Sequence, residues 1–315
     1  MDRPAVATTI EYGSTEQGRQ LSVWEKVSFV AARLAASLLL SLLSLRGLYA
    51  FGQLMGVLEW AINYKKRRRF VLALDRLLGR RSTPAERRRH GRAYFIRLRC
   101  DKLFCLILDR LPRERAASML TIVNRPLLDR ALLRGRGAYI ALSHHGPHHV
   151  CAMLMALCGY KVAGVRDRNE GGLRRFLADR HAKFFPDVTP VRMLFADAFP
   201  RDIYRCFHDG CVLGSAMDVS KTRHPNQRVE SVRFLGETRN FVTGPLRVAH
   251  RCGATVFQGA ISSESGFYYR LELECVLIDP EKSEPEDEAV PRAAREYAAR
   301  AEARMKELPG QITRV

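Results

Sequence analysis

Four histidines, His144, His145, His148 and His149, fall within one short stretch, SHHGPHHV (Ser143–Val150). A neutral imidazole can take a proton from a hydroxyl near pH 7, and neighbouring imidazoles can also hold a metal. Upstream, GAYIAL (Gly137–Leu142) is a short apolar run with β-branched and aromatic residues, the pattern of a buried strand. Downstream, His148–Cys158 carries apolar residues at helical spacing and stops at Gly159. Gly146 and Pro147 make the turn between them, with Pro147 suited to the first helical position. The histidines therefore crowd a strand-to-helix turn, where free N–H groups and the positive helix end point outward. That is a place for chemistry on an oxygen. Capping or surface roles are the plain alternative.

The elements that must hold this turn follow from the pattern around it. Strands are expected at Gly137–Ser143, Lys161–Arg166, Val191–Phe195, Cys211–Met217, Val229–Leu235, Thr255–Ser262 and Tyr268–Val276. Helices are expected at His148–Cys158, Gly171–Phe184, Phe199–His208, Thr243–Arg251 and Ala289–Leu308, with EKSEPEDE as an acidic loop. Strand–helix alternation followed by strand-rich sequence predicts an α/β fold whose sheet is mixed and flanked by helices.

At 315 residues the chain can bury a full core. Its formal net charge of +19 favours anionic partners. Nucleic acid is the weaker choice, because no binding module and no interleaved exposed aromatics accompany the basic residues. Eight cysteines without a CxxC pair fit reduced thiols and no standard zinc module.

Residues 1–22 read as a polar tail without a secretory signal. Residues 23–64 are the most apolar region and read as a membrane-associating helical segment. Within it Leu34–Leu45 is an uncharged run of 12 residues, about 18 Å of helix against roughly 30 Å of hydrocarbon. Extension to Leu58 gives 25 residues but buries Arg46, at roughly 2.5 to 3.5 kcal/mol, which the ten leucines offset. A spanning helix and an interfacial hairpin broken near Arg46-Gly47 are both allowed, as is a buried helix pair. The basic run KKRRR and the arginines through Arg99 then face the cytoplasm and attract anionic lipid or an acidic carrier. Residues 65–315 form the α/β domain.

Three stretches in this order, ALSHHGPHHV with CGYKVAGVR, FLGETRNFVTGPLRVAHRCGATV and LPGQITRV, resemble the bacterial lipid A late acyltransferases. Those lauroyl and myristoyl transferases belong to the lysophospholipid acyltransferase superfamily. The resemblance covers nearly the whole chain and implies a glycerolipid-acyltransferase-like fold. It implies transfer of an acyl group from an acyl carrier protein or coenzyme A thioester to a hydroxyl of a membrane glycolipid or lipid precursor, as in lipid A biosynthesis. The place implied is the cytoplasmic face of the inner membrane, with no cofactor and no metal.

The family uses a His followed a few residues later by Asp or Glu. His144 matches the His, and His149 stands where the acid belongs. Arg166 is kept, Glu170-Gly171 replaces the usual Asn-Pro, and Asp218 matches an Asp after a later strand. The resemblance thus implies His144, His149 and Arg166 as catalytic residues, with Gly146, Glu170, Asp218, Thr243 and Gly244 binding substrate. In such a pair the carboxylate fixes the tautomer, and its loss costs about 10⁴ in rate in the serine-protease analogue. His149 supplies no counter-charge, leaving Asp167 or Glu170, one strand over, as candidates. Arg166 and the N–H groups of the turn are expected to hold the thioester oxyanion. Two other readings stand beside this one. A non-catalytic relative that binds membrane lipid or acyl chains would explain His149, and a metal-dependent hydrolase would use the histidine cluster.

Overall fold

Ala138–Leu142 (β2) is buried at every position, and a strand without a polar face needs cover on both sides. In the computed structural model, which describes residues 22–166, 183–195, 200–219 and 227–313 together with Leu177 and Arg180, it has that cover. The other strands of its sheet are β1 (Leu120–Val123), β3 (Val162–Arg166), β4 (Arg192–Phe195), β5 (Val212–Ala216), β8 (Thr255–Ser263) and β9 (Tyr269–Ile278). Their order is β1-β9-β8-β2-β5-β3-β4. Among the described residues only β8 and β9 of this sheet pair antiparallel, so the sheet is mixed, as predicted. Strands β2, β3, β4, β5 and β8 run in one direction and end on one edge.

One face is covered by Phe104 and Ile107 of α4 (Pro84–Ile107), Leu128 of α6 (Arg125–Leu133), and Val150 and Leu154 of α7 (His148–Leu157). The other carries α8 (Pro200–His208), α9 (Gly244–Arg251) and α10 (Glu286–Glu307). A separate hairpin, β6 (Val229–Phe234) with β7 (Glu237–Val242), lies on this second face. A short helix, α5 (Arg113–Ala117), precedes β1.

Several expectations need correction. Strands β1 and β7 were not anticipated: β1 is only four residues long, and ETRNFV in β7 is largely polar. The β6–β7 turn is a two-residue hairpin loop in which Leu235 and Gly236 both adopt positive φ; Gly236 suits that loop, whereas Leu235 is not a residue that marks one. The expected acidic loop is partly helix. Glu286, Asp287 and Glu288 form the first turn of α10, where carboxylates meet the positive helix end. The expected helix Gly171–Phe184 falls largely outside the described residues.

The apolar N-terminal region is two helices, α1 (Val23–Leu42) and α2 (Leu45–Ile62). A continuous helix from Leu34 to Leu58 is excluded, because Leu43 is extended and the Ser44 hydroxyl caps α2 by accepting from the Gly47 N–H. Among the described residues no helix is long and apolar enough to cross a membrane. Both helices are bound to the domain. Buried Arg33 of α1 pairs with Asp109 at 2.6 Å. Gly52 and Gly56 let α2 lie directly on α4, where a Cβ at Gly56 would come within 2.4 Å of the Ile96 Cα. The outward faces keep Val23, Val27, Leu34, Leu38 and Leu42 of α1 and Leu54, Leu58 and Ile62 of α2 exposed.

The basic region is less uniform than its sequence indicates. In α3 (Tyr64–Leu78), Lys65, Arg68 and Arg69 are exposed. Arg67 instead stacks over the rings of Trp60 and Tyr64. Acids do pair here: Glu59 binds Lys66 and Arg99, Glu86 binds Arg80, and Asp101 binds Arg97.

Candidate active site

The His144 turn begins where β2 leaves the sheet. In-register pairing sets Leu142 opposite Ala216, and the Met217 N–H extends the ladder by donating to the Leu142 carbonyl at 2.8 Å. Two residues further on, His144 therefore meets Asp218. The His144 N–H donates to both carboxylate oxygens, at 2.9 and 3.1 Å, and Nδ1 lies 2.8 Å from Oδ1. A carboxylate only accepts, so against it a neutral imidazole holds its proton on Nδ1 and leaves the Nε2 lone pair. The Asp218 side chain is 7 % exposed and that of His144 30 %. A shielded carboxylate thus orients a partly open imidazole, an arrangement able to accept a proton from an incoming hydroxyl.

This geometry sets Asp218 against the His144 ring. The position beside His144 that the resemblance gave to His149 is filled by Asp218, for which it implied substrate binding. His149 is half-buried in the first turn of α7. His144 and Asp218 could not be connected by local spacing, because they come together only through the β2–β5 pairing. Tyr297 of α10 braces the same place, donating to the Leu142 carbonyl at 2.6 Å. Burial, and then the nearby Asp218 charge, hold the Tyr297 phenol well above its usual range, so it stays a donor.

His145 and His148 make their own backbone contacts, although the His148 ring lies 6.5 Å from that of His144. His145 is 2 % exposed and donates from Nε2 to the Leu308 carbonyl at 2.8 Å. Burial pushes it down to about 4, so it is neutral around pH 7. His148 donates from Nε2 to the His145 carbonyl at 3.0 Å. Among the described residues no group of three or more His, Cys, Asp or Glu side chains is placed to hold a metal ion.

Several of the turn's N–H groups are already engaged. Besides His144, His145 donates to Ser143, Gly146 to Gln311 at 2.7 Å, and His148 to Gly146. These four are not free to hold an oxyanion. Gly146 is required for packing: φ is +84°, and an added Cβ would sit 1.9 Å from the Ile261 carbonyl oxygen.

Arg166 closes β3. The pairings of β3 with β5 and of β5 with β2 place its backbone level with Leu142, two strands away, or about 10 Å along the same edge. Its side chain, together with Asp167 and Glu170, lies outside the described residues. Thr243 and Gly244 do come to this edge, since the Val242 N–H donates to the Val219 carbonyl beside Asp218. Thr243 is fully buried, however, and its hydroxyl donates to the Arg228 carbonyl at 3.4 Å. It fixes the β7–α9 junction. Gly244 is half-exposed at the start of α9. No protein-family model and no curated protein matches this chain.

Proposed function

We propose that the protein is an O-acyltransferase of the lipid A late acyltransferase type. The observation that carries this reading is the His144–Asp218 pair, with Nε2 of a half-open imidazole directed away from a shielded carboxylate. In the proposed reaction Nε2 takes the proton of an acceptor hydroxyl as its oxygen attacks the thioester carbonyl. Asp218 stabilises the imidazolium that forms. Collapse of the tetrahedral intermediate breaks the C–S bond, and the imidazolium returns the proton to the departing thiolate. Arg166 is the proposed partner of the oxyanion, its strand ending on the same edge. The donor is a carrier-protein or coenzyme A thioester, and the acceptor is a membrane glycolipid or lipid precursor.

The exposed apolar faces of α1 and α2 support seating on the cytoplasmic surface of the inner membrane, and Lys65, Arg68 and Arg69 favour anionic headgroups there. With Asp218 beside His144, His149 no longer favours a non-catalytic role.

The test is mass analysis of membrane lipids incubated with an acyl thioester and the purified protein. The expected result is a new acyl ester with the parent protein, lost in folded His144→Ala. Product that persists in His144→Ala removes His144 as the base. No ester from any lipid or thioester with the parent returns the non-catalytic reading.

A further inference from the structure

The back of the His144 turn is held by a segment from the far end of the chain. The Thr313 N–H donates to the His144 carbonyl at 3.0 Å, and the Gly146 N–H donates to the Gln311 carbonyl at 2.7 Å. His145 and Ile312 form an antiparallel bridge between these bonds. The segment has little structure of its own beyond one short turn, Pro309–Gln311, so something else must hold it straight.

That support comes from α4. Arg97, 7 % exposed, donates from Nε to the Gly310 carbonyl at 3.0 Å and from Nη2 to the Ile312 carbonyl at 2.7 Å. Its Nη1 meets Asp101 at 3.2 Å, and Asp101 accepts from the Ser263 hydroxyl at 2.9 Å. Ser263 closes the circuit. Its N–H and carbonyl bond the Gln311 side-chain amide at 3.3 and 3.0 Å. A guanidinium is suited to this task because its fixed fork reaches two carbonyls and a carboxylate at once. We infer that Arg97 is a positioning residue for His144, acting through the segment Leu308–Thr313, which serves as a brace behind the site.

The inference rests on reading His144 as the base, but it can be tested apart from that reading. Arg97→Met keeps the unbranched stem of the side chain and removes the fork. Gln311→Leu loosens the same brace while leaving no unpaired charge behind, and serves if Arg97→Met does not fold. Two readouts apply: amide exchange at Gly146 and Thr313, and imidazole NMR of His144, whose Nδ1 proton reports the bond to Asp218. In either folded variant both amides should exchange at least tenfold faster and the Nδ1 signature should weaken. Where transfer is measurable, kcat should fall about tenfold or more with KM unchanged, and Arg97→Lys should recover part of it. Unchanged exchange and imidazole signals in folded variants would overturn the inference, as would a rise in KM alone. Absence of transfer in the parent would count against the acyltransferase reading and leave the NMR arm standing.

Discussion

His144 and His145 are neighbours in sequence and opposites in environment. One lies half-open with a shielded carboxylate at Nδ1, while the other is shut inside against a backbone carbonyl. The cause is the strand they leave, since consecutive side chains at the end of an extended segment point to opposite sides. A charge partner on one side equips an imidazole to gain and return a proton. Burial on the other side keeps it neutral and makes it a fixed hydrogen-bond donor. A histidine pair in a turn can thus hold one reactive member and one structural member.

The largest expected effect breaks the open side. Asp218→Asn should lower acyl transfer by about 10³ to 10⁴, because the imidazole loses both its fixed tautomer and its counter-charge. Circular dichroism should show the fold intact. A loss below tenfold would mean that another group orients His144.

The next effect strikes the hinge between the two sides. Gly146→Ala places a Cβ against the Ile261 carbonyl at a positive φ, and should cost roughly 3 kcal/mol in urea unfolding. A change within 0.5 kcal/mol, about the scatter of surface substitutions, would show that the turn can shift.

The closed side should reveal itself through acid. His145 titrates near 6.5 unfolded but near 4 folded, so the unfolded chain binds the extra proton between those values. Its contribution is fully present above pH 6.5 and is lost as pH falls toward 4, amounting to about 3 kcal/mol. His145→Gln can still donate to Leu308 without titrating. Its stability should therefore fall less than the parent's between pH 7 and 4.5, and parallel curves would refute the burial argument.

The smallest effect concerns His149. With Asp218 already on Nδ1, His149→Glu should change transfer by no more than about threefold. Its carboxylate at the start of α7 should add a few tenths of a kcal/mol of stability. A hundredfold loss would bring His149 into the chemistry.

Local pattern was enough to read β2, β3, β5, β8 and α7 to within a residue or two. Strand period, turn residues and helix spacing are properties of neighbours along the chain. The same pattern marked the His144 turn as the place for chemistry and the mixed α/β sheet as its support. It could not show that Asp218, 74 residues away, would sit on His144, because that contact arises from the in-register pairing of β2 with β5. Nor could it separate Arg97, buried and bonded to the chain's far end, from the exposed arginines around it. A run of basic residues reads as one surface until packing assigns each guanidinium a direction. Charge, periodicity and the choice of turn were determined by the sequence alone. Which histidine stays open, and which carboxylate meets it, was decided only by strand register and burial, which depend on residues far apart in the chain.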